Sequence, residues 1–274
     1  MSLLHLMLRL GTRSKQAVAM TVGGRIPLHI VSEYPKSGGT WFSQMLAAYL
    51  DVPLPKMTYT PSFRECVIHN HWGYSSRYQR PIYVLRDGRD LCVSMFFHLV
   101  RVTEEKKPAL LKYVYSRIPD WDEISRDSEG NICLKPEFVN RWVQSPIGVK
   151  TTWAQHVGGW WGHDGVCYVK YEDLLSSPEP ELERAIKFCT GQERVVTHKL
   201  RDVIDQFSFA KQTGRQPGEE DHTSFIRKGI SGDWKNHFCV ESCKRFEAHA
   251  GQTLRDLGYE THSHWWEEFA ETGS

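Results

Sequence analysis

The stretch YPKSGGTW, Tyr34 to Trp41, sets a lysine, a serine and two glycines between an apolar run and an amphipathic one. Upstream, PLHIVSEY (Pro27 to Tyr34) is rich in β-branched and apolar residues; downstream, Trp41, Met45, Leu46 and Tyr49 recur at helical spacing. The pattern predicts a strand, a tight loop and a helix. Glycines let the backbone approach an anion, the free N–H groups of a first helical turn point at it, and Lys36 adds a point charge. The predicted ligand therefore carries a phosphate-like group. A nucleotide triphosphatase loop would read GxxxxGK[ST], with the lysine after the second glycine and a hydroxyl residue for magnesium. Here the lysine comes first, and no GK[ST] occurs anywhere in the chain. Alone, the stretch also fits a plain left-handed turn between strand and helix.

Two further segments make the pattern specific. PIYVL (Pro81 to Leu85) reads as a short buried strand that runs into RDGRD (Arg86 to Asp90) and the helical LCVSMFFHLV. Asp87 or Asp90 can cap that helix, while Arg86 and Ser94 offer a guanidinium and a hydroxyl to a second phosphate. FIRKGISGDWKNHF (Phe225 to Phe238) gathers Arg227, Lys228 and Gly229 where neither helical nor strand periodicity holds, as in a basic loop closing on an anion. Each alone reads better as a solvated charged cluster or loop; the segments gain meaning from their order.

With these three motifs in this order, the chain resembles the sulfotransferase superfamily that uses 3′-phosphoadenosine 5′-phosphosulfate (PAPS), most closely its cytosolic-type branch. The family's PKSGTTW loop appears as PKSGGTW, its 3′-phosphate motif corresponds to Arg86 through Ser94, and its RKGxxGDWKN motif spans Arg227 to Asn236. The resemblance implies an α/β, P-loop-like three-layer fold with a central parallel sheet flanked by helices. It also implies roles. Lys36 contacts the phosphosulfate, and the backbone of Ser37, Gly38, Gly39 and Thr40 binds the 5′-phosphate. Trp41, Tyr171 (in KYEDL) and Phe209 (in FSFAK) belong to the nucleotide pocket. Arg86, Ser94, Arg227, Lys228 and Gly229 bind the 3′-phosphate. Catalysis is assigned to His71, Lys36 and Ser94, PAPS is the co-substrate, adenosine 3′,5′-bisphosphate (PAP) is the product, and no metal is required.

The family places its catalytic base in a KTH-like sequence between the first two motifs, where this chain reads VIHNHWGY. Aligning KTH on His69, Asn70 and His71 makes His71 the base and puts His69 where the family has a supporting lysine; His69 is the alternative base. An imidazole with an ordinary pKa of about 6.5 can take a proton from an acceptor hydroxyl near neutral pH. Other departures are Gly39 for the family's threonine, which keeps the N–H and loses a hydroxyl, and Phe207 for an adenine-holding threonine. The family's dimer pattern KxxxTVxxxE falls on Lys235, Cys239, Val240 and Lys244; lysine at the final acid sets like charges together, so the family-type dimer is not expected.

Composition agrees with a single domain over 1–274. The formal net charge of +1 argues against bulk binding to nucleic acid or membranes. Seven cysteines without CxxC spacing fit reduced thiols in the cytoplasm. LLHLMLRL near the N-terminus is interrupted by His5 and Arg9, far short of the roughly 20 apolar residues of a membrane span, and reads as a surface-packed amphipathic helix. GVCYVKY (Gly165 to Tyr171) is a third strand; PEPELERAIKFCTG, ERVVTHKLRDVIDQF and VESCKRFEAHAGQTLRDLG are helices. Gln212 to Thr223 reads as a mobile loop. The pairs Trp160 and Trp161, and Trp265 and Trp266, fit either an apolar acceptor pocket or core packing, and residues 101–149 fit acceptor-side cover. The resemblance implies a small-molecule acceptor with a hydroxyl, and the sequence does not decide between phenol and alcohol. Two rival classes stay open: a P-loop kinase-like phosphotransferase, and a PAP- or PAPS-binding interaction protein without turnover.

Overall fold

The β-branched run at Leu28–Glu33 forms β1, buried along its whole length, and the sheet grows from it. In this computed structural model, which describes residues 3–23, 25–55, 63–221, 223–224 and 226–272, the chain divides into two compact units. Met1–Leu85 with Gly159–Arg215 makes the first, and Arg86–Gly158 with Gln216–Ser274 the second. Phe225, which opens the basic C-terminal segment, lies outside the described residues.

The first unit opens with helix α1 (Leu3–Val22) and holds the sheet: β1, β2 (Cys66–Asn70), β3 (Ile82–Leu85) and β4 (Cys167–Lys170), all parallel in the order β2-β1-β3-β4. Side chains alternate across a strand. Val31 of β1, Val67 of β2, Val84 of β3 and Val169 of β4 share one face with Phe42, Met45 and Leu46 of α2 (Gly39–Leu50), and with Leu182, Ile186 and Leu200 of the helices Pro178–Thr190 and Thr197–Gln206. The opposite face carries Tyr83, against which Trp160 stacks at 4.9 Å. On that side Gln16 of α1 donates to the Tyr78 hydroxyl at 2.7 Å. The central parallel sheet flanked by helices is the fold class read from the motifs. β2 was not read as a strand, and α1 extends well past the apolar stretch at its start.

The second unit begins at Arg86, where β3 has just ended, with α3 (Gly88–Glu104). Asp87 caps α3, its side chain accepting from the Arg89 N–H at 2.8 Å. Gly88 has a packing reason: a Cβ there would sit 2.6 Å from the buried Trp153 ring. Residues 101–149 continue α3 and then form the short helices Pro108–Arg117, Trp121–Ile124 and Pro136–Gln144. Trp142 is fully buried and stacks on Trp153 and on Phe246 of the helix Val240–Asp256, which also meet each other. All seven cysteines are free thiols. Among the described residues no helix is long and apolar enough to cross a membrane.

Candidate active site

In the first unit the PKSGGTW loop is a strained turn at the end of β1. Lys36 holds φ 80°, a left-handed conformation that costs a non-glycine residue of order 1–3 kcal/mol, and Gly38 at φ 95° caps α2. The Ser37 hydroxyl donates to the Tyr34 carbonyl at 2.7 Å, so it closes the turn on itself. A Cβ on Gly38 would lie 2.6 Å from the Tyr171 ring. Trp41 meets that ring edge-on at 6.2 Å and donates its indole N–H to the Phe207 carbonyl at 2.7 Å. Trp41, Tyr171 and the segment before Phe209 are thus brought together around the loop. Phe209 opens the short helix Phe209–Thr213 and carries the Arg215 guanidinium over its ring. Thr40, partly exposed, sits in the first turn of α2.

The two histidines stand beside this loop because of strand register. Val31 of β1 pairs with His69 of β2, so Glu33 and His71 follow two residues further along, on the face toward α2. His69 Nε2 donates to Glu33 Oε1 at 2.8 Å. His71 Nδ1 lies 3.2 Å from the Glu33 carbonyl oxygen. A carbonyl can only accept, so Nδ1 carries the hydrogen and Nε2 of neutral His71 is left as the basic atom. The rings meet edge-on with centroids 5.3 Å apart. His71 keeps exposed surface, yet its pKa is lowered: loss of hydration dominates and the charge of His69 adds to it, against the Glu33 carboxylate and carbonyl.

Glu33 escaped the sequence reading. It is 3% exposed, and its Oε2 accepts the Gly39 N–H at 2.5 Å. The amide expected to face a phosphate therefore already has an anionic partner. Burial alone would raise the Glu33 carboxyl, but the hydrogen bond from His69, the charges of both histidines and the Gly39 N–H together hold it below the usual range. The signal available in sequence was an acid at the end of a buried strand, six residues before a glycine standing where threonine is expected. Glu33, His69 and His71 also offer donors within 4.8 Å of one another to a divalent ion, although both Glu33 oxygens already accept hydrogen bonds.

In the second unit, motifs far apart in sequence converge. Asp90 accepts from the N–H groups of Gly232 at 2.7 Å and Trp234 at 2.9 Å, and Arg86 donates to the Ile230 carbonyl at 3.2 Å. The RDGRD turn thus holds the RKGISGDWKN segment against the start of α3. Arg227 lies over the Phe97 ring at 4.6 Å; Ser94, partly exposed, is three residues before Phe97 and shares its helix face. Gly229 takes φ 65°, turning the chain after the two cations. Arg89 does not join the set: it pairs with Asp87 and Glu260 and stacks on Trp234 and Trp265.

Asp233, also unforeseen, accepts from Lys228 at 2.7 Å, Arg227 at 2.5 Å and Asn236 at 2.9 Å, with His237 at 3.2 Å. Burial would raise its carboxyl; the bonds from His237, Lys228, Arg227 and Asn236 outweigh that and hold it far below the ordinary carboxylate range. Glu220, in the stretch read as a loop, pairs with Arg227, and the Gly218 and Asp221 N–H groups donate to the Lys228 and Arg227 carbonyls. That stretch is thus tied to the basic motif by backbone bonds. Trp160 and Trp265 are core side chains, at 0% and 3% exposed, whereas Trp161 is exposed at 36%.

The Sulfotransferase domain profile matches residues 55–258, opening downstream of the phosphate loop. A curated dog protein, sulfotransferase 1A1, is 26% identical over 84% of each chain. Among solved structures, mouse sulfotransferase SULT7A1 complexed with PAP superposes with a TM-score of 0.61 at 16% identity, covering 96% of each chain. Retinol dehydratase in a complex with retinol and PAP does so with a TM-score of 0.61 over 92% of this chain and 86% of the other. At such identities these structures establish the fold.

Proposed function

Because the chain belongs to the sulfotransferase family, we propose that it transfers the sulfuryl group of PAPS to the hydroxyl of a small phenol or alcohol, with His71 as general base. The observation that carries this reading is the convergence in the second unit. Asp90 and Arg86 bind the backbone of the segment that carries Arg227, Lys228 and Gly229, which assembles guanidinium, ammonium and the Ser94 helix face as a 3′-phosphate site. Within the first unit, Lys36 and the N–H groups at the start of α2, apart from the Gly39 N–H that Glu33 accepts, suit a phosphosulfate, and the Trp41 and Tyr171 rings suit a nucleotide base. Gly38 is held by its φ of 95° and by the Tyr171 ring, with which a side chain there would collide.

In this reading His71 Nε2 takes the hydroxyl proton as the acceptor oxygen bonds to sulfur in line, while the bond from sulfur to the 5′-phosphate oxygen breaks. Lys36 stabilises the charge gathering on that leaving oxygen, and PAP is released. The reading places the protein in the cytoplasm as a single domain without a metal and without the family-type dimer; Lys244 lies over its own chain's Trp266 ring at 4.5 Å.

Thermal unfolding with PAP, 5′-AMP and magnesium ATP at equal concentration tests it. PAP at 100 times its Kd is expected to raise Tm by roughly 5–10 °C, with little effect from the other two. A shift with magnesium ATP alone would overturn the reading in favour of phosphoryl transfer. PAP binding without sulfuryl transfer from PAPS to a panel of phenols, alcohols and amines would leave a binding protein.

A further inference from the structure

We propose that Glu33 is a positioning residue that ties both histidines to the first turn of α2, and that Gly39 is its matched partner. One residue makes all three links. Its carbonyl accepts from His71 at 3.2 Å, Oε1 accepts from His69 at 2.8 Å, and Oε2 accepts from the Gly39 N–H at 2.5 Å.

Gly39 is demanded by space rather than by backbone conformation. Its φ is not in the left-handed region, and it occupies the first position of a helix, where alanine is the better helix former. Yet a Cβ there would come within 2.6 Å of Glu33 Cδ and 2.8 Å of Oε2. That carboxylate is buried and pinned from two sides, so it cannot swing clear. The departure of His69 from lysine, the acid at position 33 and the glycine at position 39 thus form one packed unit.

The arrangement has a cost and a benefit for the proposed reaction, on which this inference rests. A carboxylate on a helix-terminal amide places negative charge where the 5′-phosphate of the donor is to bind, which opposes donor affinity. In return it fixes His69 against Glu33 and, through the same residue's carbonyl, keeps His71 Nε2 as the basic atom. Among the charged groups acting on His71 are the Glu33 carboxylate of β1 and the His69 imidazole of β2.

The test uses the full chain. Glu33→Gln is expected to bind PAP roughly three- to tenfold more tightly by calorimetry, with kcat lowered tenfold or more. The acid limb of its kcat profile is expected at lower pH, because the carboxylate no longer supports protonated His71. A generally loosened site would instead weaken binding. Gly39→Ala is expected to lower Tm in the wild-type background and to leave it unchanged or raised in Glu33→Ala, a non-additivity that marks direct contact. Equal Tm losses from Gly39→Ala in both backgrounds, or a Glu33→Gln variant with unimproved PAP affinity and an unmoved acid limb, would overturn the proposal. If the wild type binds no PAP, the sulfotransferase reading fails, and the Tm cycle still decides the pairing of Glu33 with Gly39.

Discussion

A histidine can serve as a base only at a nitrogen that carries no hydrogen, and by accepting from Nδ1–H the Glu33 carbonyl leaves Nε2 as that atom in neutral His71. His69 differs, since its Nε2 donates to the buried Glu33 carboxylate. His71→Ala is therefore expected to keep PAP affinity within about twofold and to lower turnover by roughly 100-fold or more. His69→Ala is expected to lower it less. The reverse order in steady-state assays would make His69 the base. Because His71 is shifted below the ordinary imidazole value, the wild-type acid limb is expected below about pH 6.5, with activity rising as pH increases through it. Residue types at motif positions were legible in the sequence, and Trp41 meets Tyr171 beside the loop that carries Lys36. The carboxylates that hold the motif segments in place were not legible. Glu33, Asp90 and Asp233 matter through where a strand register, a helix start and a distant loop place them, and none of these leaves a spacing in the chain to read.

At the scale of elements, three of the four strands were legible because each is a short apolar run ending at a polar turn. β2 was not, since CVIHN breaks its apolar run with a histidine that points at Glu33, and only pairing with β1 defines it. In the second unit the same logic of one element holding another governs the basic motif. Asp90, in the first turn of α3, accepts two N–H groups from the segment that follows Gly229 and is buried at 2%. Replacing it by alanine leaves the buried Trp234 amide without its acceptor, a loss of about 1–3 kcal/mol, and frees the part-buried Gly232 amide from the same side chain. Asp90→Ala is expected to lose at least tenfold of the preference for PAP over 5′-AMP, read by calorimetry, because only the 3′-phosphate distinguishes them. Retention of that preference would show that the segment is held by other contacts. Residues 101–149, read as acceptor cover, bury Trp121 and Trp142 and leave Tyr113 and Tyr115 exposed, and aromatic content alone does not separate a packing role from a binding one.

Over the whole molecule, 34 basic and 33 acidic side chains nearly cancel, so acidification changes stability through two routes. General protonation of carboxylates builds net positive charge and self-repulsion. Specific carboxylates whose pKa is depressed in the folded state add a sharper term, and they lie in both compact units: Glu33 in the first and Asp233 in the second. For a depressed acid the folded state holds its proton less readily than the unfolded chain. Its stabilisation is therefore full above the unfolded value of about 4 and is lost as pH falls toward the folded value. Asp233 has the stronger case, since four donors converge on it and its loss leaves Arg227 and Lys228 without that partner. Asp233→Asn is expected to lower Tm by roughly 5–10 °C at pH 7. It is also expected to flatten the fall of Tm between pH 4 and 2 relative to wild type, because the group that must be protonated has been removed. Parallel Tm curves for variant and wild type across that range would assign acid lability to general charge repulsion instead, and would leave Asp233 with a packing role alone.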